Sequence, residues 1–195
     1  MTHTDTDRLR QDLSFQATLH GQPLSFHTTW GLFSPKAIDE GTQLLADLFD
    51  VAPTADCLDL GCGYGPLGLT LAKLSPRGTV HLIDKDFVAV QYAATNAQLN
   101  DLTNTTAYLS NGFDQVPPEA RFDVIASNIP AKIGGEQLSL FLADAHARLK
   151  PGGQLYIVTI SGLKDYMKRH LTDQFGNYDK LRQSRTYTAA LAIRR

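Results

Sequence analysis

Short apolar runs alternate with amphipathic stretches between about residues 55 and 160. The apolar runs are typical of buried strands, and the amphipathic stretches carry apolar residues at helical spacing. The predicted strands cover residues 56–60, 79–84, 105–110, 122–127 and 154–160, and the predicted helices cover residues 67–74, 86–99 and 137–149. Such an alternation predicts βαβ units and therefore an α/β fold with a parallel sheet.

The end of the chain follows a different pattern. Residues 163–175 predict a basic helix, and residues 178–183 and 187–193 predict two further strands. A short polar link joins these two strands, so they cannot form a parallel crossover and must form an antiparallel hairpin. This hairpin distinguishes the predicted fold from that of an ordinary dinucleotide-binding dehydrogenase.

The beginning of the chain predicts a second hairpin. Residues 14–19 and 24–28 alternate between apolar and polar side chains around the segment His20–Pro23. Residues 38–49 then predict an amphipathic helix that leads into the first core strand.

Length and composition agree with one globular domain. The chain has 195 residues, of which 43% are hydrophobic, and this suits a single domain with a substantial core. No apolar run approaches the ~20 residues that a membrane-spanning helix needs. The polar residues 1–8 lack the apolar core of a signal peptide. We therefore predict a cytoplasmic protein without membrane contact.

Cysteine count and net charge limit the kinds of site that we expect. Cys57 and Cys62 are too few for a disulfide framework and lie near no cluster of further metal ligands, so we predict two buried side chains and no metal site. The formal net charge is −2, whereas proteins that bind nucleic acid mainly through its phosphates are more basic. A nucleic-acid substrate would therefore depend on a local basic patch.

The turn between the first core strand and the first core helix carries the most specific signal. Gly61, Gly63 and Gly65 allow the backbone to approach a ligand closely beside a helix N-terminus, although a tight connection alone would also explain them. Asp59 directly before the turn would repel a pyrophosphate but attract an ammonium group. Asp84 ends the next strand, where a carboxylate can accept hydrogen bonds from ribose hydroxyls. A sulfonium cofactor with an ammonium group fits both carboxylates better than a dinucleotide does.

With these residues the sequence resembles the class I S-adenosylmethionine-dependent methyltransferases, over residues 55–195. The resemblance implies a Rossmann-like sheet of seven strands in the order 3-2-1-4-5-7-6, with strand seven antiparallel. We accordingly expect a single domain over residues 1–195, with an N-terminal extension over residues 1–35 and a catalytic core over residues 36–195.

The same resemblance implies S-adenosylmethionine as the cofactor and assigns its contacts. Asp59 and the three glycines would surround the methionine part, and Asp84 would bind the ribose. Three residues after the third core strand would lie near the adenine; they are Asn111, Gly112 and Phe113.

The end of the fourth core strand is where a methyl acceptor would bind. Asn128-Ile129-Pro130-Ala131 is similar to the Asn-Pro-Pro-aromatic motif of methyltransferases that act on planar amino groups. In that motif the Asn side chain and a backbone carbonyl accept hydrogen bonds from the amine, which implies such roles for Asn128 and Pro130. Ala131 departs from the motif, because it stands where an aromatic ring usually stacks on the base.

The segment before the core narrows the resemblance. Residues 24–45 are similar to the lead-in of small-domain methyltransferases that include ribosomal RNA guanine-N2 methyltransferases. Trp30 and Phe33 in this segment are candidates for the missing stacking ring, and Lys132 is a candidate substrate contact. The other basic residues that could contact a phosphate backbone, or simply form a solvated face, are Lys36, Lys164, Lys168, Arg169, His170, Arg182 and Arg185.

Three functions are consistent with these residues. The leading hypothesis is a methyltransferase that acts on an exocyclic amine of RNA, with guanine N2 of ribosomal RNA as the favoured acceptor. A second is methyl transfer to a protein glutamine amide or a small molecule. A third is a cofactor-binding module that has lost catalysis. The sequence leaves the acceptor and the oligomeric state open.

Overall fold

Strands and helices alternate along residues 12–195, the part of the chain that the computed structural model describes. The strands are β1 (Leu13–Leu19), β2 (Gln22–Thr28), β3 (Cys57–Leu60), β4 (Val80–Asp84), β5 (Thr105–Leu109), β6 (Phe122–Asn128), β7 (Leu149–Ile160), β8 (Asp179–Gln183) and β9 (Tyr187–Ile193). The helices are α1 (Glu40–Ala46), α2 (Pro66–Leu74), α3 (Phe87–Leu99), α4 (Gly135–Arg148) and α5 (Lys164–Phe175). The polar residues 1–8, on which the signal-peptide prediction rests, lie outside the described residues.

Seven strands form the central sheet in the order β5-β4-β3-β6-β7-β9-β8. Strands β3 to β7 run parallel to one another, whereas β9 runs antiparallel to both β7 and β8. Counted from β3, this is the order 3-2-1-4-5-7-6 with strand seven antiparallel, so the predicted fold is confirmed. The chain moves outward from β3 in one direction and later returns to its other side as β6. Loops that leave such a reversal point diverge and form the crevice where ligands bind in open α/β sheets.

Helices cover both faces of this sheet. Helices α1, α2 and α3 lie on one face with the β1–β2 hairpin, where the buried cluster includes Leu82, Ala126 and Val158. Helices α4 and α5 lie on the other face, where the buried cluster includes Ile125 and Ile157. Neighbouring residues of β6 and β7 therefore point into opposite clusters, as in strands buried on both faces. Within the described residues, no helix has the length and apolar composition to cross a membrane.

Both cysteines are buried, as predicted. Burial raises the pKa of the Cys57 thiol to about 12 and raises that of Cys62 well above its usual value. Each thiol therefore stays protonated at neutral pH and acts as a small packing group rather than as a nucleophile.

Asn96 of α3 and Asn100, the C-cap residue of that helix, bind the outer edge of the β1–β2 hairpin. Asn96 accepts a hydrogen bond from the backbone N–H of His27 (2.7 Å) and donates one to the carbonyl of the same residue (2.9 Å). Asn100 contacts the N–H and carbonyl of Ser25 in the same way, at 2.9 and 2.8 Å. The two amides thus take the place of a neighbouring strand for alternate residues of β2. Pro23 lies two residues before Ser25 on the same side of β2, and as a proline it has no N–H that needs a partner.

The hairpin also packs on the turn that follows β3. The Tyr64 ring meets Phe26 and Phe15 edge-on, with centroid distances of 5.5 and 6.2 Å. The buried Asn96 amide donates a further hydrogen bond to the Tyr64 carbonyl at 2.9 Å. One side chain of α3 therefore joins the hairpin to the glycine turn.

Two element boundaries near the N-terminus differ from the prediction. The hairpin turns at His20 and Gly21, whose φ angles are 49° and 70°, so β2 begins at Gln22 inside the predicted loop. A two-residue turn with positive φ angles matches the twist of the flanking strands. Helix α1 spans Glu40–Ala46 rather than residues 38–49. It begins at Glu40 because the Asp39 side chain caps its first turn, and the chain after Ala46 continues as turns.

Strand β7 also begins earlier than predicted. Its first residues, Leu149–Gly153, lie before the predicted strand 154–160. In the structure they bulge within β7, because Phe122 pairs with Leu149 while Val124 pairs with Gln154. The N–H of Gly152 donates to the carbonyl of Arg194, so the chain beyond β9 holds the bulge in place.

Replacing Asn96 with alanine tests how the hairpin is held. The change leaves backbone groups of His27 and Tyr64 without partners, and each unpaired buried polar group costs about 1–3 kcal/mol. We expect Asn96→Ala to lower the free energy of unfolding by about 2–4 kcal/mol, as measured by urea denaturation. Gln98→Ala, at an exposed position of the same helix, is the control and should change it by less than about 0.5 kcal/mol. Equal losses in the two variants would contradict this role of Asn96.

Candidate functional site

The residues that the sequence singled out lie along one edge of the sheet. The glycine turn follows β3, Asp84 ends β4, the segment 111–113 follows β5 and Asn128 ends β6. These four strands are consecutive neighbours, so their carboxyl ends form a continuous rim at the reversal point between β3 and β6.

The three glycines of the turn serve two different purposes. Gly61, Gly63 and Gly65 have φ angles of 73°, 55° and 99°, which side-chain-bearing residues rarely adopt. A Cβ atom at Gly61 or Gly63 would meet nothing within 4 Å, so open space lies next to the backbone there. A Cβ atom at Gly65 would come within 3.2 Å of Leu82. The first two glycines therefore leave room for a ligand, and the third allows α2 to pack on the sheet.

Asp84 holds the shape of this turn. One carboxylate oxygen, Oδ2, accepts a hydrogen bond from the N–H of Gly63 at 2.9 Å, and Oδ1 accepts one from the N–H of Asp86 at 3.0 Å. Each carboxylate oxygen can accept a second hydrogen bond. Asp84 can therefore fix the backbone and still accept hydrogen bonds from ligand hydroxyls.

Asp59 is buried beneath the turn. Its Oδ2 accepts a hydrogen bond from the N–H of Gly68 at 2.7 Å, in the first turn of α2, where the N-cap Gly65 provides no side-chain acceptor. Its Oδ1 is buried and has no partner in the described structure. Burial is the main cause that raises the pKa of Asp59 to about 7, and the charge of Asp84 adds to it. A cationic group beside Oδ1 would favour the ionised form.

Two residues of the segment after β5 are closely packed. Phe113 is buried, and a Cβ atom at Gly112 would come within 2.9 Å of the Phe141 ring. Two apolar side chains beside Asp84 are exposed instead, Phe87 by 62% and Leu109 by 49%. Leu109 on β5 pairs with Asp84 on β4. The alternation of side chains along β5 could have predicted that Leu109 is exposed.

Asn128 is held by residues that the sequence analysis missed. Its Nδ2 donates to Oδ2 of Asp39 at 3.1 Å and to the hydroxyl of Thr42 at 3.0 Å. The hydroxyl of Tyr187 donates to the other oxygen of Asp39 at 2.8 Å. A carboxylate can only accept, so the nitrogen of the amide must face Asp39 and Oδ1 must face away from it. No residue among 12–195 donates to that oxygen.

The remainder of the Asn128 motif forms a short turn. Ile129 is buried, and its N–H donates to the carbonyl of Val158 at 2.9 Å. The carbonyl of Pro130 accepts from the N–H of Ile133 at 3.2 Å, whereas no donor among residues 12–195 reaches the Ile129 carbonyl. Of these two backbone carbonyls, that of Ile129 is the one available to a ligand. Lys132 is exposed beside it.

A loop over residues 29–39 connects the two halves of the rim. Its carbonyls at Ser34 and Ala37 lie 3.2 and 3.4 Å from the hydroxyl of Tyr64 in the glycine turn, and the loop ends at Asp39 beside Asn128. Phe33 is 65% exposed on this loop. Trp30 is 37% exposed, and the ammonium group of Lys36 lies 4.7 Å from its ring centroid. Both rings are thus exposed on the loop that ends beside Asn128.

Within residues 12–195, no three His, Cys, Asp or Glu side chains converge as metal ligands. The polar groups of the rim are backbone groups, carboxylates and one amide. Such a set can bind and orient small polar ligands.

The raised pKa of Asp59 predicts a pH-dependent stability. Between the usual pKa of 3.8 and the folded value of about 7, the folded chain keeps a proton that the unfolded chain has released. The stabilisation that is present below the lower value is therefore lost as the pH rises through the higher one. Asp59→Asn keeps an acceptor for Gly68 but cannot titrate. We expect the difference in free energy of unfolding, wild type minus Asp59→Asn, to fall from about pH 4 to about pH 7 and then to level off.

Urea denaturation across this pH range measures that difference. Asp144→Asn, at an exposed position of α4, is the control and should retain the pH dependence of the wild type. A constant difference between wild type and Asp59→Asn would show that no buried proton is held at this position.

Known proteins share both the sequence and the fold. The family model of the methyltransferase small domain matches residues 23–190. The uncharacterized protein YbxB of Bacillus subtilis is 35% identical over 150 residues, which cover 76% of this chain and 74% of YbxB. Ribosomal RNA small subunit methyltransferase C of Hahella chejuensis is 34% identical over 154 residues, which cover 76% of this chain and 44% of that protein.

A solved structure extends this comparison. The 16S rRNA guanine-N2 methyltransferase RsmC of T. thermophilus, in complex with AdoMet and guanosine, superposes with a TM-score of 0.85 at 30% identity. The match covers 94% of this chain and 51% of that chain, so the chain spans about half the length of the ribosomal RNA methyltransferases that it matches. These findings confirm the predicted family. The chain belongs to the methyltransferase small domain family, within the class I S-adenosylmethionine-dependent methyltransferases.

Proposed function

We propose that this protein transfers a methyl group from S-adenosylmethionine to an exocyclic amine of an RNA base, with guanine N2 of ribosomal RNA as the favoured acceptor. The observation that carries the proposal is the fixed amide of Asn128, whose Oδ1 is left to accept a hydrogen bond beside the glycine turn. A ribosomal substrate also places the protein in the cytoplasm.

The residues of the rim fit this cofactor. The buried Oδ1 of Asp59 lacks a partner and suits the ammonium end, and the open backbone at Gly61 and Gly63 leaves room for the methionine part. Asp84 would accept the ribose hydroxyls, and the exposed ring of Phe87 would cover the adenine. When bound, S-adenosylmethionine supplies an electrophilic methyl group on its sulfonium.

The Asn128 motif would orient the acceptor. Oδ1 of Asn128 and the carbonyl of Ile129 would accept the two hydrogens of a planar amine, which directs the nitrogen lone pair at the methyl group. Both oxygens also stabilise the positive charge that develops on the nitrogen. Pro130 fixes the backbone directly after the Ile129 carbonyl, because its ring restricts its own φ and the conformation of the residue before it. The alkylated amine then releases an acidic proton to solvent, so the transfer needs no strong general base.

Aromatic and basic groups beside the motif would bind the rest of the nucleotide. Stacking of a base on an aromatic ring contributes about 1–3 kcal/mol. Ala131 provides no ring, but Phe33 and Trp30 are exposed on the loop that ends at Asp39. Lys132 would contact a phosphate. The similarity to ribosomal RNA methyltransferases supports this assignment.

A different acceptor is the second candidate. The alanine at position 131 and the net charge of −2 favour a protein glutamine amide or a small molecule over a nucleic acid. A chain that binds the cofactor without transferring the methyl group is the third.

Asp84→Asn tests the cofactor site. The side-chain oxygen of asparagine can still accept the hydrogen bond from the N–H of Gly63. Its NH2 group would then replace the oxygen that accepts from the N–H of Asp86 and that would accept from a ribose hydroxyl. We expect the affinity for S-adenosylmethionine, measured by calorimetry, to fall by about tenfold or more. Asp86→Asn removes the same charge two residues away and keeps the helix cap, so it should bind like the wild type. Equal losses in both variants would mean that net charge, rather than Asp84, governs binding.

Asn128→Ala tests the acceptor site. We expect it to lower kcat for transfer of tritiated methyl groups to unmodified 16S rRNA or 30S subunits by about 100-fold, because it removes one of two oriented acceptors. The affinity for the cofactor should stay unchanged, since Asn128 contacts none of the residues assigned to it.

Parallel assays with glutamine-containing protein and small-molecule fractions separate the three candidates. Methyl transfer only to those fractions would overturn the RNA assignment. Cofactor binding without transfer to any acceptor would favour the inactive module.

A further inference from the structure

The closing hairpin β8–β9 is joined to the start of α1 at the Asn128 side of the site. The Tyr187 ring lies on Gly41, where a Cβ atom would come within 2.7 Å of it. Ser184 in the same hairpin donates a hydrogen bond to the carboxylate of Glu40 at 2.7 Å and accepts one from the N–H of Tyr187 at 3.0 Å. Two side chains of the hairpin therefore fix the first turn of this short helix.

Asp39 is the point where these contacts converge. Its Oδ2 accepts from the N–H groups of Gly41 and Thr42, at 2.9 and 3.2 Å, as well as from the amide of Asn128. Its Oδ1 accepts from Tyr187. Burial, with the nearby charge of Asp39, raises the pKa of Tyr187 to about 12, so its hydroxyl remains a donor at neutral pH.

These contacts leave Asp39 little freedom. Four donors from three segments form hydrogen bonds with its two oxygens, and together they hold the carboxylate in one position. The Asn128 amide has two donor hydrogens, and both are used, one by Asp39 and one by Thr42. An amide can place either its oxygen or its nitrogen against Asp39, but only the nitrogen can donate a hydrogen bond to a carboxylate. Asp39 therefore selects the orientation in which the nitrogen faces it.

We propose that Asp39, fixed by Tyr187 and the first turn of α1, is a positioning residue that sets the amide orientation of Asn128 for the methyl acceptor. The effect of this orientation on methyl transfer rests on the proposed function, whereas the orientation itself is independent of it. Asp39 acts through Asn128 and does not itself contact the substrate. Without Asp39, the amide can rotate and present its NH2 group, which repels the amine hydrogens.

Two substitutions separate this role from helix capping. Asparagine at position 39 caps the helix, accepts from Asn128 with its oxygen and donates to the hydroxyl oxygen of Tyr187, so it preserves the arrangement. Serine at position 39 also caps the helix, but its hydroxyl lies one bond closer to the backbone and does not reach Asn128. We expect Asp39→Ser to lower kcat by about tenfold and Asp39→Asn to stay within about threefold of the wild type. Cofactor affinity by calorimetry should match in both variants, and thermal unfolding should show that both remain folded at the assay temperature.

A double substitution tests whether Asp39 acts through Asn128. In the Asn128→Ala background, Asp39→Ser should cause no further loss of kcat on the same 16S rRNA probe, because the group that it positions is gone. A further tenfold loss there would overturn the proposal.

The side-chain amide signal of Asn128 in a 1H–15N NMR spectrum gives a readout that needs no activity. It is identified by its absence in Asn128→Ala. We expect two well-separated proton signals with slow solvent exchange in the wild type and in Asp39→Asn, and signals like those of exposed asparagines in Asp39→Ser. Unchanged signals in Asp39→Ser would overturn the proposal. If the wild type methylates no acceptor, the proposed function fails and the NMR comparison alone decides this inference.

Discussion

The Asp39 carboxylate lies where three segments that are far apart in sequence meet. It caps α1, binds the amide of Asn128 at the end of β6 and accepts a hydrogen bond from Tyr187 at the start of β9. A partly buried carboxylate needs such donors to offset its desolvation, so each contact stabilises the others. The geometry around Asn128 depends on this one group.

The cofactor side depends on a comparable connection. Asn96 reaches from α3 to the hairpin strand β2 and to the carbonyl of Tyr64, so the hairpin, the helix and the glycine turn form one packed unit. The loop over residues 29–39 runs from this unit to Asp39. A rim built in this way keeps the glycine turn and Asn128 in a fixed relation, as transfer between two bound ligands requires. The relative position of the glycine turn and Asn128 is therefore set by polar side chains that join separate segments, in addition to the sheet.

Sequence patterns predicted the sheet well because its strands are strongly apolar and its turns contain glycine. The order of the seven strands followed from the family resemblance and the C-terminal hairpin. Boundaries failed where a single contact decided them, as at Asp39, which makes α1 begin later than predicted, and at Leu149, where a bulge extends β7 toward the preceding helix. Neither contact leaves a periodic signal, because the cap depends on one side chain and the bulge depends on the pairing of Leu149 with the distant Phe122.

The sequence by itself determined the family, the chemistry of the glycine turn and the position of Asn128, because each depends on a short run of neighbouring residues. Only the tertiary structure decided that Asp59 is buried with an unpaired oxygen, that Phe113 packs in the core and that Phe87 and Leu109 are exposed beside Asp84. It also decided which way the Asn128 amide faces. That orientation depends on a carboxylate 89 positions away in the chain, and proximity of this kind arises only when the sheet closes.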